Sequence, residues 1–283
     1  MIDIHTHILP GLDDGARDME DSLSMAALAL KSGVHTLVAT SHANTGGFFK
    51  EYSIEEYLQR LEAFRKALDE VKLPLRVFSG MEIYMTREVP RMIREGRLLS
   101  LNQTGYFLTE FSFGIEQEEM DEMLHDLMEL GVTPVIAHPE RYRCVQESES
   151  GIAKWKNRGC LLQVNRGSIF GRFGSGAKQC VDRLLDQHMV TCIASDAHKP
   201  YERTTYMADI KEYMEQEYSF EYSKKLLYDN PKRILEGEKV YNEEIKIGKF
   251  CDILYITGSK SDLLVYTGQK KETGSDRSLQ WIS

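Results

Sequence analysis

The sequence predicts an α/β fold: a parallel (β/α)7 barrel, TIM-like, closed or slightly distorted, with a β-rich C-terminal extension. Three observations lead there. Short apolar, β-branched runs alternate with amphipathic helical ones. Seven such runs, each followed by a helix or loop, fit into about 240 residues. Acidic and imidazole side chains also sit, one or two at a time, at the ends of successive runs. Parallel strands would project all of these from one rim, where βα folds place their chemistry.

The expected strands are Met1–Ile4, Thr36–Thr40, Arg76–Gly80, Tyr106–Thr109, Thr133–Ala137, Cys160–Asn165 and Val190–Ala194. Between them fall the expected helices. Asp18–Ser32 ends at Gly33. Ser53–Val71 carries a capping-box start in Ser53 and Glu56 and apolar positions at helical spacing (Ile54, Tyr57, Leu58, Leu61, Phe64). Val89–Glu95, Gln117–Leu130, Gly151–Arg158, Gly174–Gln187, Arg203–Glu217 and Tyr222–Asp229 follow, with another helical segment starting at Asn230-Pro231. This places a barrel over residues 1–241. After Tyr241 the runs Ile245–Ile247, Asp252–Thr257 and Asp262–Thr267, separated by Gly-Lys and Gly-Ser-Lys turns, read as a β-hairpin or meander with a polar tail, so 242–283 is an extension.

Bulk properties narrow the function. A formal charge of −9 argues against a nucleic-acid-binding surface as the main business. No apolar run approaches the ~18 residues needed to span a bilayer. The opening MIDIHTH has neither the basic region nor the apolar core of a signal or transit peptide. Five scattered cysteines then read as free thiols, and the expected compartment is the cytoplasm. Self-association stays open.

The strand-end residues are His5, His7, Asp14 (or Asp13), His42, Glu82, Glu110, His138, Asp196 and His198. His5 and His7 are alternate residues of one strand and face the same spot, as a chelating pair does. Asp196 and His198 repeat that spacing after the last strand, which in a barrel neighbours the first. Nine ligands are too many for one ion, whereas three sites of roughly three protein ligands each would use them. Imidazole and carboxylate without thiolate suit Mn²⁺, Fe or Zn²⁺ rather than Ca²⁺, and the sequence does not choose among them. Such a cluster makes hydroxide from water and clamps phosphate oxygens.

The segments HTHILPGLDDGA, SHA, GMEIY, TEF, AHPERY, QVNRGS and SDAH together resemble the PHP superfamily (polymerase and histidinol phosphatase). More narrowly, they resemble the manganese-dependent tyrosine-protein phosphatases of bacterial capsule and exopolysaccharide operons, the CpsB/YwqE type. The resemblance runs from Met1 to about Tyr241 and implies a PHP-type barrel with a trinuclear manganese centre. It favours Asp14 over Asp13 and makes Glu82 the expected bridging ligand. It also implies phosphate contacts for Arg141 and Arg203, which lie three and five residues beyond His138 and His198. Asn165, ending its strand, is expected near the substrate.

The implied reaction is hydrolysis of protein phosphotyrosine by a metal-bridging hydroxide, without a phosphoenzyme. The implied partner is a bacterial tyrosine kinase that controls polysaccharide export. A PHP phosphatase for a small metabolite, an exonuclease and a non-catalytic metal-binding module are the alternatives. Tyr84, Phe111, Tyr142 and Phe170 stand near strand ends, either as walls for an aromatic leaving group or as loop packing.

One pattern misleads. Cys160-Leu-Leu-Gln-Val-Asn-Arg166 satisfies the C-x5-R spacing of cysteine-dependent tyrosine phosphatases. That chemistry needs a tight loop of small residues whose N–H groups cradle phosphate. The composition here is that of a buried strand.

Overall fold

The computed structural model describes residues 1–49 and 51–241. Nine strands form among the described residues: β1 (Ile2–Thr6), β2 (Thr36–Ala39), β3 (His42–Ala43), β4 (Arg76–Ser79), β5 (Glu82–Tyr84), β6 (Tyr106–Glu110), β7 (Thr133–Ala137), β8 (Leu161–Asn165) and β9 (Cys192–Ala194). Every ladder is parallel, and hydrogen bonding arranges the strands in two sheets, β1-β2-β4 and β3-β5-β6-β7-β8-β9. The fold is thus α/β with parallel sheets.

Two expected strands form within one residue of their expected ends, and each is followed by a further short strand that was not expected. Thr40–Ser41 separates β2 from β3, and Gly80–Met81 separates β4 from β5. Tyr57, buried on the helix Ile54–Glu70, serves both breaks. Its hydroxyl donates to Ala39 O at 2.7 Å and accepts from Gly80 N at 3.0 Å. Backbone groups that leave the ladder are thereby paired, as buried polar groups must be. His42 and Glu82 consequently stand directly opposite each other in the β3–β5 register, inside short strands and not after longer ones.

At the other end, β1 and the segment after β9 exchange bonds. His7 N donates to Ala197 O at 2.8 Å and Asp196 N to His5 O at 3.0 Å, with a parallel bridge between Thr6 and Ala197. The two pairs of alternate residues seen in the sequence therefore lie side by side.

The helices follow the expected apolar spacing. Ile54–Glu70 buries Tyr57, Leu61, Phe64 and Leu68 on one stripe, and Ser53 caps it by accepting from Glu56 N. Met19–Lys31 is capped in the same way by Asp18. Inside the strands, Ile4, Val38, Leu108, Val135 and Leu161 pack with Ile234 and Leu235 of the helix Asn230–Glu236. Each fully buried side chain of this size contributes about 1.5–3 kcal/mol.

One helix starts later than expected, at Ala208 and not Arg203. Arg203 has φ +49°, a left-handed conformation that a helix cannot continue through. The short helices Arg143–Glu147 and Arg166–Ile169 were not anticipated. The expected hairpin in 242–283 lies outside the described residues. No helix among the described residues is long and apolar enough to cross a membrane.

Candidate metal centre

All nine strand-end residues converge on one cleft. Glu82, 1 % exposed, is the hub. Its Oε2 lies 3.2 Å from His5 Nε2, 3.1 Å from His7 Nε2 and 3.0 Å from His42 Nδ1, and its Oε1 lies 3.0 Å from His138 Nε2. Asp196 Oδ1 stands 3.6 Å from His5 Nε2, 3.5 Å from His7 Nε2 and 3.6 Å from His198 Nδ1. Glu110 is 3.5 Å from His42 Nδ1 and 3.6 Å from His138 Nε2. Three overlapping sets emerge whose ligand atoms lie within 4.8 Å of one another: His7, Asp14, His42 and His198; His5, His7 and Asp196; and His42, Glu82 and Glu110.

The donors fit cations better than they fit each other. Glu82 Oε2 and His42 Nδ1 approach to 3.0 Å, yet both are buried without a hydrogen-bond partner, so proximity comes without hydrogen-bonding direction. Three imidazole nitrogens crowd one carboxylate oxygen. An imidazole and carboxylate set of this kind, with no thiolate in it, is one for borderline or hard divalent ions.

The two aspartates of the first loop separate cleanly. Asp13 is buried behind His7, its Oδ2 2.8 Å from His7 Nδ1 and accepting from His42 N at 2.9 Å. Asp14 projects into the cleft, 3.6 Å from His42 Nε2 and 3.3 Å from His198 Nε2. Gly15 permits this arrangement, because a Cβ there would lie 2.1 Å from His7 O. His5 is held in the same manner, its Nδ1 2.7 Å from Gln163 Oε1, which leaves Nε2 facing the cleft. His138 and Asp196 have φ of +33° and +50°. Such left-handed non-glycine residues cost of order 1–3 kcal/mol each and cluster at functional sites.

The electrostatics reflect crowding. Burial opposes ionisation of Glu82, but the imidazoles of His5 and His42 hold its carboxyl well below the usual range. Burial and the Glu82 charge push Glu110 up to about 8. Burial, with the Arg141 charge behind it, takes His138 down to about 4 despite its bond to Glu82, so it is a neutral imidazole at pH 7. For His7 burial opposes the charge, but Asp13, Asp196 and Glu82 together raise the imidazole well above its ordinary value.

Arg141 and Arg203 flank the same cleft. Arg203 Nη2 pairs with Asp196 Oδ2 at 2.6 Å, and Arg141 Nη1 lies 3.6 Å from the same oxygen. Their acidic sequence neighbours are engaged elsewhere: Glu140 accepts from Ser168 Oγ and Asn165 N, and Glu202 faces Arg172. Asn165, expected near the substrate, is a correction. It is fully buried, and its amide donates to Asp196 Oδ2 at 2.6 Å, so it supports a cleft residue and has no surface for substrate.

The aromatic residues near the strand ends divide between the two readings. Tyr84 lines the cleft, together with Phe48, Phe49 and Phe113. Phe111 and Tyr142 are buried loop packing, and Phe170 lies against Tyr213. Cleft volume is about 260 Å³. A larger hollow of about 500 Å³, between Tyr52, Met81, Met92 and Leu98, contains none of the nine residues. Cys160 is buried beside Met128 Sδ, and burial pushes its thiol up to about 12.

Residues 1–236 match the family model for capsular polysaccharide synthesis, CpsB/CapC. The chain belongs to the CpsB/CapC family. Among relatives of this CpsB/CapC protein, it is 35 % identical over 244 residues to the tyrosine-protein phosphatase YwqE of Bacillus subtilis, covering 86 % of this chain and 94 % of that one. It is 32 % identical over 247 residues to the tyrosine-protein phosphatase CpsB of Streptococcus pneumoniae, covering 85 % and 100 %. A crystal structure from work on those two proteins, described as unique metal-dependent tyrosine phosphatases, superposes with TM-score 0.79 at 34 % identity, over 85 % of this chain and 96 % of the other.

Proposed function

We propose that this CpsB/CapC protein is a metal-dependent phosphomonoesterase acting on phosphotyrosine in proteins. The observation that carries the reading is the pairing of a buried imidazole–carboxylate cluster with two arginines, Arg141 and Arg203, that share Asp196 with it. The names of the relatives support the same activity.

His5, His7, Asp14, His42, Glu82, Glu110, His138, Asp196 and His198 would hold the metal, as three ions of manganese, with iron or zinc as substitutes. When bound, the ions supply Lewis acidity and lower the pKa of water at the cleft. The chain's own residues do the rest. Arg141 and Arg203 offer planar forks that fit phosphoryl oxygens and offset charge that grows in the transition state. His138, neutral at pH 7, presents a lone pair where a proton would block it. Phe48, Phe49 and Phe113 give the phenyl leaving group apolar faces.

The finer architecture belongs to the same reading. Counting β2 with β3 and β4 with β5 as single bent strands gives seven positions, and the Thr6–Ala197 bridge joins first to last, which supports a distorted (β/α)7 barrel. All nine residues and the family match precede Tyr241, which supports a phosphatase barrel over 1–241 with 242–283 as an extension. The partner is a phosphotyrosine protein, a bacterial tyrosine kinase of a capsule system, met in the cytoplasm.

The test is a rate comparison on chelator-treated protein with and without added Mn²⁺. Substrates are a phosphotyrosine peptide, histidinol phosphate and single-stranded DNA. The reading requires Mn²⁺-dependent preference for the peptide. Preference for histidinol phosphate makes this a metabolite phosphatase, and no turnover of any makes it a binding module.

A further inference from the structure

Arg141 lines the cleft with two aromatic rings against its guanidinium, whose carbon lies 4.3 Å from the centroid of Phe113 and 4.3 Å from that of Phe173. The Arg203 guanidinium is 5.5 Å from the same Phe173 ring. Both arginines are also drawn to one oxygen, Asp196 Oδ2. Arg203 Nη2 is already paired there at 2.6 Å, whereas Arg141 Nη1 stands off at 3.6 Å.

An aromatic face attracts a guanidinium and also restricts it to the plane parallel to the ring. Arg141, in contact with two rings, is restricted by both. Phe173 touches both arginines, although they come from different loops, after β7 and after β9.

The backbone is built around this ring. Phe173 lies between Gly171 and Gly174, with φ of +75° and +91°, conformations a side chain would strain. In the helix Arg166–Ile169, a Cβ on Gly167 would come within 2.8 Å of Phe173 Cε2. Gly167 is therefore the space into which the ring fits.

We propose that Phe173 is a positioning residue for oxyanion binding: by stacking on Arg141 against Phe113 and contacting Arg203, it keeps both forks turned to one phosphoryl group. The inference rests on the phosphatase reading for its catalytic consequence, but not for the anion-binding one.

The test uses full-length, Mn²⁺-loaded protein and two readouts, turnover of an aryl phosphate and calorimetric binding of orthophosphate. Phe173→Leu should lower kcat and weaken orthophosphate binding by roughly 10-fold each, because the flat cationic stack is lost. Metal content should not change. Phe173→Tyr retains the face and should restore both readouts. Gly167→Ala, which displaces the ring without altering it, should resemble Phe173→Leu and replaces it if the leucine variant folds poorly. In an Arg141→Lys background, Phe173→Leu should add little. Unchanged orthophosphate binding in both Phe173→Leu and Gly167→Ala overturns the proposal, as does full additivity with Arg141→Lys. If the wild type turns over no phosphomonoester, the phosphatase reading fails while the orthophosphate arm still decides the role of Phe173.

Discussion

Asp13 grips the outer edge of His7, Oδ2 to Nδ1 at 2.8 Å, while its neighbour Asp14 faces the opposite way, into the cleft. Adjacent identical residues thus have separable parts. A carboxylate behind a ligating imidazole fixes the ring and raises its basicity, and removing such a partner costs roughly 10–100-fold in metal affinity. Asp13→Asn should accordingly weaken binding while full loading remains reachable at high metal. Asp14→Ala should lower the number of ions bound. Metal titration against a competing chelator separates the two, and an unchanged stoichiometry in Asp14→Ala removes that residue from the ligand set.

Metal uptake should release protons at pH 7. Glu110, pushed up to about 8, and His5 and His7, raised above 6.5, carry protons that a cation must displace. The sign for stability follows from the same groups. In chelator-treated protein the folded state binds more protons than the unfolded one at Glu110, His5 and His7. Stability should therefore fall as pH rises from about 6.5 to 8. Below 6.5 the lowered His138 and His198 act in the opposite sense, so the window is confined to the upper side. Tm measured across that range, with and without saturating Mn²⁺, checks this. A flat profile for the chelated protein contradicts the shifts.

Much of this site is legible in the sequence because its ligands follow strand ends, and strands announce themselves by apolar, β-branched runs. What stays hidden is direction. Without the resemblance, nothing in Asp13-Asp14 says which carboxylate turns inward; their partners, His7 Nδ1 and His42 N for Asp13 and His198 Nε2 for Asp14, appear only in the folded chain. Gln163 carried a signal, a polar residue within a buried strand two positions before Asn165, so both face one side. Their partners His5 and Asp196 are visible only once β8 has been set beside β9 and β1. The strands β3 and β5, two and three residues long, are too short for any periodicity. Phe173 lies in a glycine-rich stretch where a sequence shows only freedom, and the structure shows those glycines fixing a ring.

Arg203→Ala should lower kcat more than it raises KM, since a group that answers transition-state charge is missed most there. Losing such a donor costs ~2–4 kcal/mol. Lysine should rescue only part, having no planar fork. Arg203 is 2.6 Å from Asp196, so metal content must be measured alongside. Wild-type kinetics in the alanine variant would reduce this contact to a structural ion pair.

Cys160→Ser should retain phosphatase activity. The thiol is fully buried, stands at about 12 and touches Met128, so there is neither a thiolate nor access for a phosphate. A folded, metal-loaded serine variant without turnover reverses this assignment.

Phe48 should set the preference for aromatic leaving groups. Its ring is 82 % exposed at the cleft mouth, next to Phe49, which stacks on His42 with centroids 5.0 Å apart and planes 9° apart. Beside Phe49 and Phe113 at the same cleft it offers an apolar face that a bound ring can cover. A phosphotyrosine ring entering between Phe48 and Phe113 buries that face, whereas a phosphoserine chain is too small to do so. Phe48→Ala should therefore raise KM for a phosphotyrosine peptide and leave KM for an alkyl phosphate unchanged. The comparison must be made within one preparation, so that metal loading cancels. Equal effects on both substrates mean that Phe48 shapes the loop and not the choice of substrate.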